Sequence, residues 1–247
     1  MARVRLPDHY VWLIWSCAYL VPWLWLFLWL PRYRRIMVWS SVATMPFGLT
    51  EPLFVPRYWN PPSLFNLAQR TGFDLESLFF CFAIGGVGVV LYNLVTGAGL
   101  RPVARCERTS RRHRHHRAAL FTPVAIFPLL YALPWNPIYP AIAALLLGGA
   151  ATVACRPDLA LKTVVGGTLF AGYYAIFMLL LEGSAPGYIE RVWNLPALSG
   201  VMIGGIPLEE LLFGFAFGTY WSGIYEHVTW QRVTAPTREK AAEHGYA

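Results

Sequence analysis

Apolar residues run through this chain in long blocks, each ended by a basic cluster, a proline turn or an aromatic-rich loop. The blocks cover residues 10–30, 36–55, 73–95, 118–134, 138–155, 163–181 and 203–228. A helix needs about 20 largely apolar residues to cross a hydrocarbon core of about 30 Å. The pattern therefore predicts an all-α membrane protein with about seven transmembrane helices. The expected connections are the basic turn Arg32-Tyr33-Arg34-Arg35, an amphipathic loop at 56–72, the strongly basic stretch 101–117, the turn Trp135-Asn136-Pro137 and the basic link 156–162.

The blocks also repeat. Arg57-Tyr58-Trp59-Asn60 leads to Asp74-Leu75-Glu76-Ser77-Leu78-Phe79-Phe80 and on to Tyr92-Asn93. Arg191-Val192-Trp193-Asn194 leads in the same way to Pro207-Leu208-Glu209-Glu210-Leu211-Leu212-Phe213 and on to Tyr225-Glu226. Self-similarity at this spacing marks a duplicated unit. Three crossings plus a fourth restore the starting side, so the two copies run parallel and their matching residues lie at matching depths. The expected organisation is two parallel three-helix repeats joined by an extra helix. Residues 1–96 form the first repeat, 97–137 a basic loop and linking helix, 138–230 the second repeat and 231–247 a tail.

Composition agrees with a bilayer as solvent: 56% of residues are hydrophobic and only 13% charged. The net charge of +7 sits largely in the loops. Counting Lys and Arg there puts every basic cluster on one side, which predicts an integral membrane protein with its N-terminus outside and its C-terminus, with Arg232, Arg238 and Lys240, in the cytoplasm. Orientation and attraction to anionic lipid account for this charge, and no nucleic-acid partner is expected. The first apolar block is longer than a signal-peptide core and is expected to remain as an anchor. Cys17, Cys81, Cys106 and Cys155 show no paired spacing, which argues for packing roles. The run from Arg111 to Arg117 contains His113, His115 and His116, but its flanking positive charge opposes a cation and its spacing fits no regular site, so no metal is expected. Gly85-Gly86-Val87-Gly88 lacks the strand and the third spaced glycine of a dinucleotide fingerprint, and close helix packing is its expected role.

Acids inside apolar blocks are costly and mark sites by default. Glu51, Asp74, Glu76, Glu182, Glu209 and Glu210 fall at similar depth in the expected topology, near the outer interface. This predicts a single acid-lined pocket walled by Trp59, Trp193, Tyr220 and Trp221, with Asn60 and Asn194 on the loops above it. The competing reading makes these acids interfacial residues held by Arg57, Arg70 and Arg191, and the aromatics belt anchors.

Pro207-Leu208-Glu209-Glu210 at the start of a span, the closing Tyr225-Glu226 and the preceding Trp-Asn pair resemble the integral-membrane lycopene cyclase domain family of carotenoid-producing bacteria, archaea and fungi. In that family the unit occurs as two pairing proteins or as one fused chain, and the fused form is similar to this one. The resemblance implies an isomerase of carotenoid biosynthesis that needs no cofactor and resides in the membrane, for a bacterial chain the inner membrane. Its chemistry is acid-initiated: a carboxyl protonates an isolated double bond, a second double bond attacks the cation, and a proton is then removed, with no net electron transfer. On this reading Glu209 is the expected acid, with Glu76 as its counterpart and Glu210 in support. Glu51, Trp59, Asn60, Trp193, Asn194, Tyr220 and Trp221 are the expected contacts to a hydrophobic carotenoid or terpenoid.

The first copy departs from the pattern, with Asp74 at the proline position, Ser77 at the second acid and Asn93 opposite Glu226. Two further readings stand beside the cyclase for that reason: a non-catalytic subunit that binds carotenoid or docks on a larger membrane complex of photosynthetic type, and a proton-coupled carrier built on parallel repeats.

Overall fold

The structure, a computed structural model, describes residues 7–234. Arg238 and Lys240 of the expected tail lie outside the described residues. Helix α1 spans Asp8–Trp29, and α2 spans Arg34–Thr44 before passing into a 3-10 stretch, Met45–Leu53. A short α3 (Leu67–Thr71) precedes the long α4 (Leu75–Thr96). Strand β1 (Gly99–Pro102) and the four-residue α5 (Arg105–Arg108) occupy the basic segment. Then come α6 (His116–Tyr131), α7 (Ile138–Cys155), α8 (Ala160–Ser184) and the short α9 (Tyr188–Val192). A small hairpin of β2 (Met202–Ile203) and β3 (Ile206–Pro207) feeds α10 (Leu208–Trp221), α11 (Ile224–Thr229) and β4 (Gln231–Thr234).

The chain is mostly helical, and α1, α4, α7 and the stretch Pro157–Ser184 containing α8 are long and apolar enough to cross a membrane. Two expected spans are interrupted. Pro46 and Pro52 remove backbone donors where the second should continue as α-helix, and the segment tightens into a 3-10 turn sequence. The seventh starts as a hairpin and breaks at Ser222-Gly223, leaving a 14-residue α10 and a six-residue α11. Lys162, grouped with the basic link on sequence, lies inside α8 and is buried.

Local signals explain the boundaries of α4. The Asp74 carboxylate caps it by accepting from the Ser77 N–H at 2.5 Å, and Gly97 ends it in the left-handed conformation at φ 67°. Packing then follows one scheme in both halves: α1 and α2 lie against α4, and α7 and α8 lie against α10. Glycines allow the close approach. A Cβ on Gly85 of α4 would stand 1.9 Å from Thr44 Oγ1 of α2, and one on Gly218 of α10 would stand 2.7 Å from Phe170 Cβ of α8.

The loops collect at two ends. At one end Asn60 N–H donates to Val192 O (2.8 Å) and Asn194 N–H to Tyr58 O (2.9 Å), so Trp59 and Trp193 form an antiparallel bridge. Arg191 pairs with Asp8 at 2.9 Å at that end. At the other, β1 pairs antiparallel with β4, tying the basic loop to the start of the tail, and Arg232 contacts Glu107 and Asp158.

Candidate functional site

The six acids singled out in the apolar blocks divide by what their oxygens hold. Four are engaged by backbone amides, three of them by loop amides and Asp74 by the first turn of α4. Asp74 caps α4 as described, and Glu76 Oε1 accepts from Leu64 N–H at 2.7 Å. Glu182 accepts from Gly187 N–H at 2.5 Å and Ile189 N–H at 3.2 Å. Glu209 Oε1 accepts from Ser199 N–H and the Tyr139 hydroxyl, both at 2.8 Å. A buried amide without a partner costs free energy, and these carboxylates satisfy one at the start of α4 and others where loops turn back toward the helices.

Glu51 and Glu210 instead bind only side chains, and both line one cavity of about 400 Å³ in the centre of the molecule. Glu210 sits in the first turn of α10 and is 3% exposed. Three donors converge on it: the hydroxyls of Tyr58 and Tyr174 (the latter at 2.5 Å) and the Trp193 indole N–H at 2.6 Å. The indole can only donate, whereas the two phenols can turn to donate or accept, so this cradle tolerates a change in the protonation of the carboxyl it holds. Glu51 comes from the 3-10 stretch after α2. Its Oε2 accepts from Ser77 Oγ at 3.2 Å, and its buried Oε1 has no hydrogen-bond partner among the described residues. Ser77 occupies in α4 the position that Glu210 occupies in α10, immediately after the amide-binding glutamate.

The rest of the lining is apolar and aromatic. Trp59 and Trp193 lie with ring centroids 5.3 Å apart, and Trp12 meets Trp59 edge-on at 4.9 Å. Trp221 stacks on Phe217 at 5.7 Å, and Tyr220 closes the wall beside it. Electron-rich faces in a desolvated site stabilise a cation by about 2 kcal/mol when well placed. Phe47, Val124 and Pro128 line the cavity and are also exposed on the outside of the molecule, so the cavity reaches the apolar exterior between the 3-10 stretch and α6.

Of the residues expected on sequence, Glu51, Trp59, Trp193, Glu210, Tyr220 and Trp221 come together around this cavity. Glu76 and Glu209 are buried at 0% and 1% exposure but do not line it, and Asn60 and Asn194 are exposed on the paired loops above. Sequence reading missed Tyr58 and Tyr174. Tyr58 precedes the Trp-Asn pair, but its counterpart in the other copy is Val192, so the repeat gave no signal. Tyr174 lies in mid-span among other aromatics, where nothing local marks it.

A second buried polar cluster lies toward the opposite end. Lys162 Nζ donates to Glu226 Oε1 at 2.5 Å, Asn93 Oδ1 at 2.6 Å and Val89 O at 3.2 Å, with all three side chains at most 1% exposed. Asn93 and Glu226 are the two residues that close the repeated motif, and a single lysine joins them.

Residues 136–228 match the family described as lycopene cyclase. No curated protein and no solved structure matches the chain.

Proposed function

We propose, on the premise that residues 136–228 carry a lycopene cyclase domain, that this protein is a membrane-embedded cyclase of linear carotenoid ends, acting through Glu51 and Glu210. The observation that carries the reading is the pairing of two carboxyl groups, free of backbone duties, in one aromatic-walled apolar cavity. An end of the polyene enters from the bilayer between Phe47 and Val124 and folds in the cavity while the remaining chain stays in lipid. Glu51, with one oxygen unengaged by protein, hands its proton to the terminal double bond. The cation so formed is attacked by the next suitably placed double bond, which closes the six-membered ring and moves the charge. Glu210 faces that charge, aided by Trp59, Trp193 and Trp221, and takes a proton from an adjacent carbon to restore a double bond. One proton is taken up and one released, and no oxidant or reductant is needed. Before the next turnover Glu210 gives up its proton and Glu51 regains one, and the phenolic hydroxyls on Glu210 can relay the proton it releases.

In this reading Glu76 and Glu209 hold the loops that roof the cavity and do not touch substrate. The finer architecture goes with it: seven crossings, with residues 1–96 and 138–230 as parallel copies about an axis near the Trp59–Trp193 bridge and the basic loops in the cytoplasm. The matched packing of α4 and α10 and the reciprocal loop hydrogen bonds support it.

The test is to express the chain in a bacterial host that accumulates lycopene and to separate the extracted pigments. Cyclised products from the wild type, lost in Glu51→Gln and in Glu210→Gln but retained in part by Glu209→Gln, are the expected result. Unchanged lycopene with an inserted, folded wild-type chain would overturn the reading in favour of a carotenoid-binding subunit.

A further inference from the structure

In local sequence the histidines of the basic segment 101–117 have the spacing of no regular site and flanking positive charge opposes a cation, and neither feature takes account of residues from elsewhere in the chain. Folding supplies one. Residues Arg111–His115 form a 3-10 turn, whose period of three puts His113 and His116 on one side and turns Arg111, Arg112, Arg114 and His115 out to solvent. The inward side meets the last residue of α7, Cys155, which is 6% exposed and comes from about 40 positions further along the chain.

Three donor atoms converge there. Cys155 Sγ is 3.5 Å from His113 Nδ1 and 3.5 Å from His116 Nδ1, and the three atoms all lie within 4.8 Å of one another. A tetrahedral zinc ion with Zn–S of about 2.3 Å and Zn–N of about 2.0–2.1 Å separates sulfur from each nitrogen by about 3.5 Å. Both observed edges have that length.

The surroundings hold these rings in place. Trp230 stacks on His116 with centroids 4.0 Å apart and meets His113 edge-on at 5.1 Å. It does so from the left-handed conformation, φ 56°, a costly one for a tryptophan. His227 packs edge-on against His116 at 4.4 Å, and its buried Nε2 has no partner among the described residues. The nearest buried cation, Arg156, is neutralised by Asp158 at 2.7 Å. A surface hollow lined by His113, His116 and Trp230 together with Arg114, His115, Arg117 and Ala118 opens beside the two imidazoles.

We propose that His113, His116 and Cys155 form a zinc site at the basic end of the molecule. Two imidazoles and one thiolate are donors that zinc favours over calcium or magnesium. On binding, Cys155 loses its thiol proton to solvent and forms a Zn–S bond, so the two positive charges of the ion are partly offset where the arginines crowd. The ion staples the turn that opens α6 to the end of α7. It thereby links the segment joining the halves to the domain at 136–228. The site lies apart from the cavity acids and does not depend on the cyclase reading.

The test uses the full chain in detergent, stripped with a chelator and titrated with Co²⁺ as a spectroscopic stand-in. The wild type is expected to develop a thiolate-to-cobalt charge-transfer band that saturates at about one ion per chain and is discharged by Zn²⁺. Cys155→Ser should lose the band, and Cys106→Ser, which changes an exposed cysteine outside the cluster, should keep it. Protein purified without chelator should carry zinc by elemental analysis. A wild type that shows no such band, or a band that persists in Cys155→Ser, overturns the proposal. The first of these outcomes needs no variant to fold.

Discussion

The two halves bring a carboxyl to the same cavity by different routes. In the second, Glu210 stands in the first turn of α10, directly after the glutamate that anchors the loop, and two tyrosines and a tryptophan hold it. In the first, the corresponding place is Ser77, and the acid comes from the 3-10 stretch that packs against it, with Ser77 donating to Glu51. What matches between the halves is what holds the frame: Gly85 and Gly218 at helix crossings, Trp59 and Trp193 at the bridge, and Glu76 and Glu209 on loop amides. What differs faces the cavity or the buried lysine. The lesson is that Ser77 and Asn93, read on sequence as losses, each have a partner in the fold. Asn93 accepts from the one lysine that Glu226 neutralises, and a second carboxylate there would leave a buried charge unpaired.

Breaking this comparison at the acids should have the largest effect. Glu210→Gln is expected to lower ring formation by about 10²–10⁴-fold, the range for a positioned acid or base, while the chain remains folded. Glu209→Gln should act through stability, with pigment conversion recovering at lower growth temperature; equal losses in both variants would erase the distinction between cavity acids and loop anchors.

At the lysine, Lys162→Met leaves Glu226 charged and alone in the interior. A loss of about 3–5 kcal/mol is expected, seen as a lower thermal midpoint in detergent, and Lys162→Met with Glu226→Gln should restore most of it. If the single variant melts like the wild type, the cluster does not join the halves.

The paired tryptophans offer a finer cut. Trp193→Phe removes the N–H that holds Glu210 and should reduce turnover by about tenfold, the equivalent of about 1.4 kcal/mol for a lost hydrogen bond to a charged group. Trp59→Phe keeps an aromatic face and leaves the three donors on Glu210 in place, so a change of only a few-fold is expected. Smallest should be Val124→Trp, which narrows the opening between the 3-10 stretch and α6; slower conversion in vivo with an unchanged product pattern would support entry from the lipid.

Much of the frame was legible because burial in a bilayer leaves a periodic record. Uninterrupted apolar blocks gave α7 to the residue and α1, α4 and α8 nearly so, since length and hydropathy alone decide whether a helix can span. The interruptions were not legible as such: Pro46 and Pro52 were visible, but whether the chain kinks, stops or tightens at them depends on what packs alongside. The acids in the apolar blocks pointed toward the cavity that Glu51 and Glu210 line, because an ionisable side chain in an apolar block is expensive enough to need a reason.

Which acids face the cavity was decided only in three dimensions. Glu209 and Glu210 are adjacent and chemically identical, and about 100° of helix rotation separates a loop anchor from a cavity wall. The same holds for partners far apart in the chain. Tyr58 reaches Glu210 across 152 positions, Lys162 reaches Asn93 across 69, and Cys155 reaches His116 across 39. The sequence by itself determined where the long apolar helices form and that acids lie among apolar residues, because those depend on local composition and period. Only the tertiary structure decided which side chains meet, because that depends on the rotation and crossing of helices whose contacts no local pattern records.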